Sequence, residues 1–185
     1  MAKKDAYAEF LKEDFQQLFQ AMELPTRQEH FMRSRWLDQL LWMEKKAGFC
    51  RDRHQSLRLT TIILGVIVPI LIGFDFGTQH IQKVRAVTAI LSGVVAVSAA
   101  VEEFFHYGER WYHYRRTAES LKQHGWQFSQ LTGPYKKFST CETAFPIFAE
   151  YVEEILQKDV EGYVTQGIQS HQEEHQDNNE ELSKG

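Results

Sequence analysis

The sequence predicts an all-α membrane protein: a two-transmembrane helical hairpin whose helices extend into a cytoplasmic helical bundle, partly as an antiparallel coiled coil, in a homo-oligomer. Three observations carry this expectation. Two apolar runs, Leu59–Phe74 and Ala86–Val101, stand back to back in an otherwise polar chain of 185 residues. Apolar residues recur at alternating steps of four and three on both sides of the pair, the signature of a helical seam. No stretch alternates with the period of two that a half-buried strand requires.

The elements follow in order. From Ala6 to Met22 the residues Tyr7, Phe10, Leu11, Phe15, Leu18 and Met22 fall on roughly one helical face, and Leu24-Pro25 ends the helix. Residues 1–25 form this amphipathic segment. Thr26, with Glu29 three positions on, is expected to cap a second helix through a capping box. That helix, an arm over residues 26–58, runs unbroken toward the first apolar run. Its seam is Trp36, Leu40, Met43, Ala47, Cys50, His54 and Leu57.

Residues 59–101 are the expected hairpin, with spans 59–74 and 86–101. Each strict run has 16 residues, whereas a span takes roughly 20. Extending the first from Leu57 to Phe76 reaches that length, with Arg58 and Asp75 snorkelling into the headgroups. Its eleven Leu, Ile, Val and Phe residues contribute on the order of −5 kcal/mol to insertion, against about −3 kcal/mol for the second run. Ser92, Ser98, Thr88 and Gly93 weaken the second span, which needs a partner helix for its hydroxyls. A short apolar run also suits a buried core helix, so a soluble bundle is the competing reading.

Flanking charge favours the membrane. Lys45, Lys46, Arg51, Arg53 and Arg58 precede the first run, and Arg110, Arg115, Arg116 and Lys122 follow the second. Only Lys83 and Arg85 lie between. That asymmetry places both termini in the cytoplasm. Phe104, Phe105, Tyr107, Trp111, Tyr112 and Tyr114 fit an interfacial aromatic belt. No cleavable signal peptide is read from Met-Ala-Lys-Lys-Asp.

A second arm, opening residues 102–170, carries the seam Phe104, Tyr107, Trp111, Tyr114, Ala118, Leu121, Gly125 and Phe128. One continuous helix is expected from Arg85 to Phe128, breaking near Gly133-Pro134. A last helix is expected from about Cys141 to Ser170, with Phe145, Phe148, Val152, Ile155, Leu156 and Tyr163 apolar and Pro146 in its first turns. The acidic tail, residues 171–185, has almost no apolar content and is expected to be disordered.

Small residues recur every four positions within the spans: Thr61, Gly65, Pro69 and Gly73 on the first, Thr88, Ser92, Ala96 and Ala100 on the second, with Ala89 and Gly93 adjacent. This spacing lets lipid-embedded helices approach closely, first in the hairpin and then between copies. Glu102 and Glu103 end the second span. In a symmetric assembly each forms an acidic ring that selects cations, with Asp75 as an outer ring and Ser92 and Ser98 offering hydroxyls along the path. The plainer reading is that these carboxylates mark the water boundary and pair with Arg110, Arg115 or Lys83. Stacked carboxylates would suit a hard divalent cation such as Ca²⁺ as permeant or bound ion. No other cofactor is expected.

Glu103-Phe-Phe-His106 has the spacing of a carboxylate-bridged metal helix, but the second copy such sites need is missing. His171 and His175, four apart in the tail, could brush a metal but are more simply read as solvated residues. No phosphate loop, dinucleotide fingerprint or nucleophile triad is found, so an enzyme is not expected. Cys50 and Cys141 imply no disulfide framework, and a net charge of −4 gives no sign of nucleic-acid binding.

The string Trp111-Tyr-His-Tyr114-Arg115-Arg-Thr-Ala118-Glu119-Ser-Leu121-Lys122, with Gly133-Pro134-Tyr135 downstream, resembles the SLATT-type two-transmembrane family of bacteria and a related bacterial domain of unknown function. The similarity runs from about Gln28 to Tyr163. It implies an oligomeric, pore-forming protein of the bacterial cell membrane, linked in its family to conflict and nucleotide-signalling systems. No sensor domain is expected within these residues, and Gln123-His124 stands where an acidic residue is expected. Read on their own, Tyr114, Ala118 and Leu121 are seam positions, and Arg115 and Glu119 are spaced to bridge. The expected function is thus a homo-oligomeric cation channel. The competing one is a non-conducting membrane scaffold or sensor, recruiting a cytoplasmic protein through its helical bundle.

Overall fold

The computed structural model describes residues 2–73 and 81–161, and every regular element in them is helical. Helix α1 spans Ala2–Ala21 and α2 spans Thr26–Phe31. A π-helical stretch, Met32–Leu37, leads into α3, Asp38–Gly73. From Thr26 to Gly73 the helix is continuous over 48 residues, as the uninterrupted arm requires. Then come α4 (Ile81–Phe105), α5 (Tyr107–Ser129), a 3₁₀ turn (Gly133–Tyr135) and α6, residues 141–161. Asp75, Tyr163 and the tail lie outside the described residues.

The chain divides into two compact units. One combines the chain before Met43 with the chain after Arg115; the other is Met43–Arg115.

The first unit has an aromatic core with Trp36 at its centre. Phe15 of α1 meets the indole edge-on at 4.8 Å, and Phe148 of α6 lies 6.1 Å away. The indole N–H donates to the Leu121 carbonyl at 3.1 Å, so the buried ring leaves no polar atom unpaired. Gly125 lies so close that a Cβ there would stand 2.3 Å from the indole. The π-helical stretch widens the turn where Met32, Trp36 and Leu37 all enter the core. On α1 the buried face is Leu11, Phe15 and Phe19, whereas Tyr7 and Phe10 are exposed. This corrects the expected stripe at Tyr7 and Phe10 and adds Phe19, while Leu18 and Met22 of that stripe are partly buried.

Two further expectations change at helix ends. Thr26 is the first residue of α2 and makes no capping box. Pro25 is the cap, with its carbonyl accepting from the Gln28 and Glu29 amides at 2.8 and 3.0 Å. Glu29 instead takes Arg33, one turn on, at 2.6 Å. Helix α6 is capped by Thr140, whose hydroxyl accepts from the Thr143 amide at 3.3 Å. The break before it holds two left-handed residues, Leu131 (φ 50°) and Gly133 (φ 58°), and sets Tyr135 fully inside.

In the second unit the predicted seam holds. Met43, Ala47 and Cys50 are buried. The same four-and-three step continues through His54, Leu57, Thr61, Leu64, Val68 and Leu71, all partly withdrawn from the surface. On α4 the withdrawn positions are Val84, Thr88, Leu91, Val95, Ser98 and Val101. Cross-contacts descend on one side as they ascend on the other: Glu44 with Arg115, Phe49 with Tyr107, His54 with Glu102. The second arm is not one helix, however. It breaks at His106, which has a left-handed φ of 47° between α4 and α5. Phe104, expected on the seam, lies off the withdrawn face of α4 and is 76% exposed.

Candidate functional site at the polar boundary of the apolar helices

Inside the apolar segments three threonines bond back to their own helix. Thr60, Thr61 and Thr88 each donate to the carbonyl four residues back, at 2.8, 3.0 and 2.8 Å. Their hydroxyls therefore enter an apolar medium without orphaned donors. The outward faces are uniformly greasy: Leu59, Ile62, Ile63, Val66, Ile70 and Ile72 on α3, and Val87, Ile90 and Val97 on α4, are exposed. Within the most apolar stretch of each helix, 0% of α3 and 6% of α4 is buried. A core helix of a soluble protein would be mostly covered.

The small residues split between faces. Thr61 and Thr88 lie on the withdrawn seam, whereas Gly65, Pro69, Gly73, Ala89, Gly93, Ala96 and Ala100 are exposed. A Cβ at Gly65, Gly73 or Gly93 would meet no atom within 4 Å. Of the expected helix-packing residues, then, only the two threonines are withdrawn from the surface within one chain.

Where apolar gives way to polar, α3 and α4 are joined by a hydrogen bond. His54 Nδ1 lies 2.6 Å from Glu102 Oε1, with both side chains about one-fifth to one-quarter exposed. The second carboxylate oxygen of Glu102 is buried without a hydrogen-bond partner among the described residues. Gly108 backs the imidazole, and a Cβ there would come within 3.0 Å of the ring. Glu103, one residue on, is exposed. The two carboxylates thus differ: Glu102 is engaged within the chain and Glu103 faces outward. Ser98 is buried on the seam and Ser92 is exposed. The histidine partner was missed at the sequence level, although a polar residue on a heptad seam is itself a sign of a buried polar pair. Among the described residues no three His, Cys, Asp or Glu side chains converge as a metal site.

Cys50 sits one turn before His54. Burial pushes its thiol above the ordinary value, opposed by Arg110 and Lys46, which leaves it protonated and unreactive. Beyond it, Arg115 reaches the largely buried Glu44 at 3.0 Å, and Trp111 and Tyr114 are half-buried. Further along the same string, in the first unit, Ala118 and Leu121 are fully buried, and Glu119 accepts from Lys122 at 2.9 Å. These residues pack and pair.

These features define a class: an all-helical protein with two helices long and apolar enough to cross a membrane, joined at their polar boundary. The family described as "Protein of unknown function (DUF4231)" matches residues 38–142, more than half of the chain, and the protein belongs to it. The match runs from the first residue of α3 to the start of α6. No curated protein and no solved structure matches the chain.

Proposed function

We propose that this protein is a homo-oligomeric, cation-permeable pore of the bacterial cell membrane, built as a two-helix hairpin with both termini in the cytoplasm. The single observation behind this reading is the bare apolar surface of α3 and α4. Surface of that extent is stable only against lipid or other copies of the chain. Two helices cannot enclose a path, so conduction requires assembly. The exposed small residues of α4 supply a face on which copies can approach closely.

On α4 the exposed residues Ser92, Ala96, Ala99 and Glu103 share one face by spacing, and we assign this face to the pore. Glu103 forms the cation-selecting ring at the cytoplasmic mouth, where a divalent ion such as Ca²⁺ finds oxygen ligands. Glu102 holds α4 to α3 through His54. The SLATT-type resemblance of the arm agrees with this reading.

Ion flux into liposomes carrying purified protein tests it. The expected outcome is cation flux that Glu103→Gln reduces by about tenfold, the scale of losing a close charge from an ion path. Glu102→Gln is expected to lower thermal stability first and selectivity little. A protein that passes no ion, or that remains a monomer on crosslinking in native membranes, fits a non-conducting scaffold and overturns the pore.

A further inference from the structure

The membrane reading leaves a recess unexplained. Phe49, Arg53, Ser56, Leu57, Val101 and Tyr107 enclose a shallow space of about 170 Å³ between α3 and the α4–α5 junction. Its position is set by sequence: Leu57 adjoins the first apolar segment and Val101 closes the second, so the recess lies where hydrocarbon meets water.

Its chemistry is divided. Phe49 and Tyr107 meet edge-on at 6.4 Å, and Tyr107 stacks on Phe105 at 5.3 Å, forming an aromatic wall. The Arg53 guanidinium lies over the Phe49 ring at 5.4 Å, a cation–π contact. Ser56 and Tyr107 add hydroxyls. Leu57 and Val101 form an apolar floor that continues toward the exposed Ile63 and Ile67 on α3 and Val94 and Val97 on α4. The nearest acids are otherwise engaged: Asp52 with Arg51 at 3.3 Å and Glu102 with His54.

We propose that this recess binds an anionic membrane phospholipid. The phosphate takes Arg53, Ser56 and Tyr107, and the acyl chains lie along the floor and the apolar faces beyond it. A planar guanidinium beside two hydroxyls matches the oxygens of a phosphate, and the greasy exit selects a lipid over a free ion. The inference rests on the membrane reading, not on conduction.

Native mass spectrometry of the full-length protein in detergent tests it, titrated separately with phosphatidylglycerol, phosphatidylcholine and inorganic phosphate. Wild type is expected to retain phosphatidylglycerol in preference to phosphatidylcholine. Arg53→Gln is expected to weaken that binding about fivefold, the effect of one basic residue at a membrane surface. Arg53→Lys, which keeps the charge but not the planar fork, should fall between wild type and Arg53→Gln, and Arg51→Gln, outside the recess, should leave binding unchanged. Equal retention of both lipids overturns the site, as does equal loss in Arg51→Gln, which signals diffuse attraction. Inorganic phosphate competing fully for the recess overturns the lipid assignment. If Arg53→Gln misfolds by its melting curve, Tyr107→Phe decides: unchanged phosphatidylglycerol binding overturns the proposal. Failure of the membrane reading itself is distinct, because the protein would then stay soluble without detergent.

Discussion

At Gly125 the seam position expected to carry a packing side chain is filled by the Trp36 ring instead. A methyl group there would lie 2.3 Å from the indole, far inside contact distance. Gly125→Ala is therefore expected to destabilise the fold by about 1–3 kcal/mol, the range for overpacking a filled core, as read by denaturant melts. The glycine was legible as a seam residue but not as a complement to Trp36, because spacing gives a face and not a partner 89 residues away. His124 makes a second residue-scale prediction. It stacks on Tyr151 at 4.8 Å and shares a 2.9 Å hydrogen bond with the buried Tyr135 hydroxyl. Burial holds its pKa below the ordinary 6.5, with Glu154 opposing. The folded state thus favours the neutral ring. Its contribution is complete above the unfolded value and is lost as pH falls through the lower, folded one. Wild type should lose stability as pH falls through 6.5 and below, and His124→Gln should flatten that slope. An unchanged slope in the variant would show that other groups set it.

At the scale of elements, the joint between α4 and α5 is the feature sequence patterning could not reach. In sequence the four-and-three step passes through Phe104 and Tyr107 without a gap, and nothing at His106 breaks a helix by propensity. The break reflects local packing: Gly108 draws α5 against His54, and one left-handed residue takes up the change. Backbone bonding survives on both sides, from the His106 amide to the Glu102 carbonyl at 2.9 Å and from the Arg110 amide to the His106 carbonyl at 3.1 Å. A left-handed non-glycine residue is held at a cost of about 1–2 kcal/mol, so His106→Gly is expected to raise the melting temperature. His106→Val should lower it, because a β-branched residue resists that conformation. If both variants melt as wild type does, the joint carries no strain. The start of α2 failed for a related reason. Thr-x-x-Glu matches a capping box, but Pro25 already directs its carbonyl at the same amides. The long continuous helix, by contrast, was legible from the seven seam positions Trp36 to Leu57, although the π-helical stretch at Met32–Leu37 and the continuation of the seam to Leu71 were not.

For the whole molecule, composition spoke most clearly. Two apolar runs in a polar chain predicted two bare apolar helices, and the structure leaves them bare. The polar pairing at their boundary was less legible, because Glu102 and Glu103 look alike in sequence and only helical phase sends one to His54 and the other outward. What the arms and spans do together depends on where the membrane lies. Cysteine accessibility in intact cells tests that most directly, using a membrane-impermeant maleimide on Thr78→Cys, between the spans, and on Lys158→Cys, on the exposed face of α6. Thr78→Cys is expected to be labelled from outside, while Lys158→Cys reacts only after the membrane is opened. Equal labelling of both positions, or recovery of the protein in the soluble fraction, would contradict it.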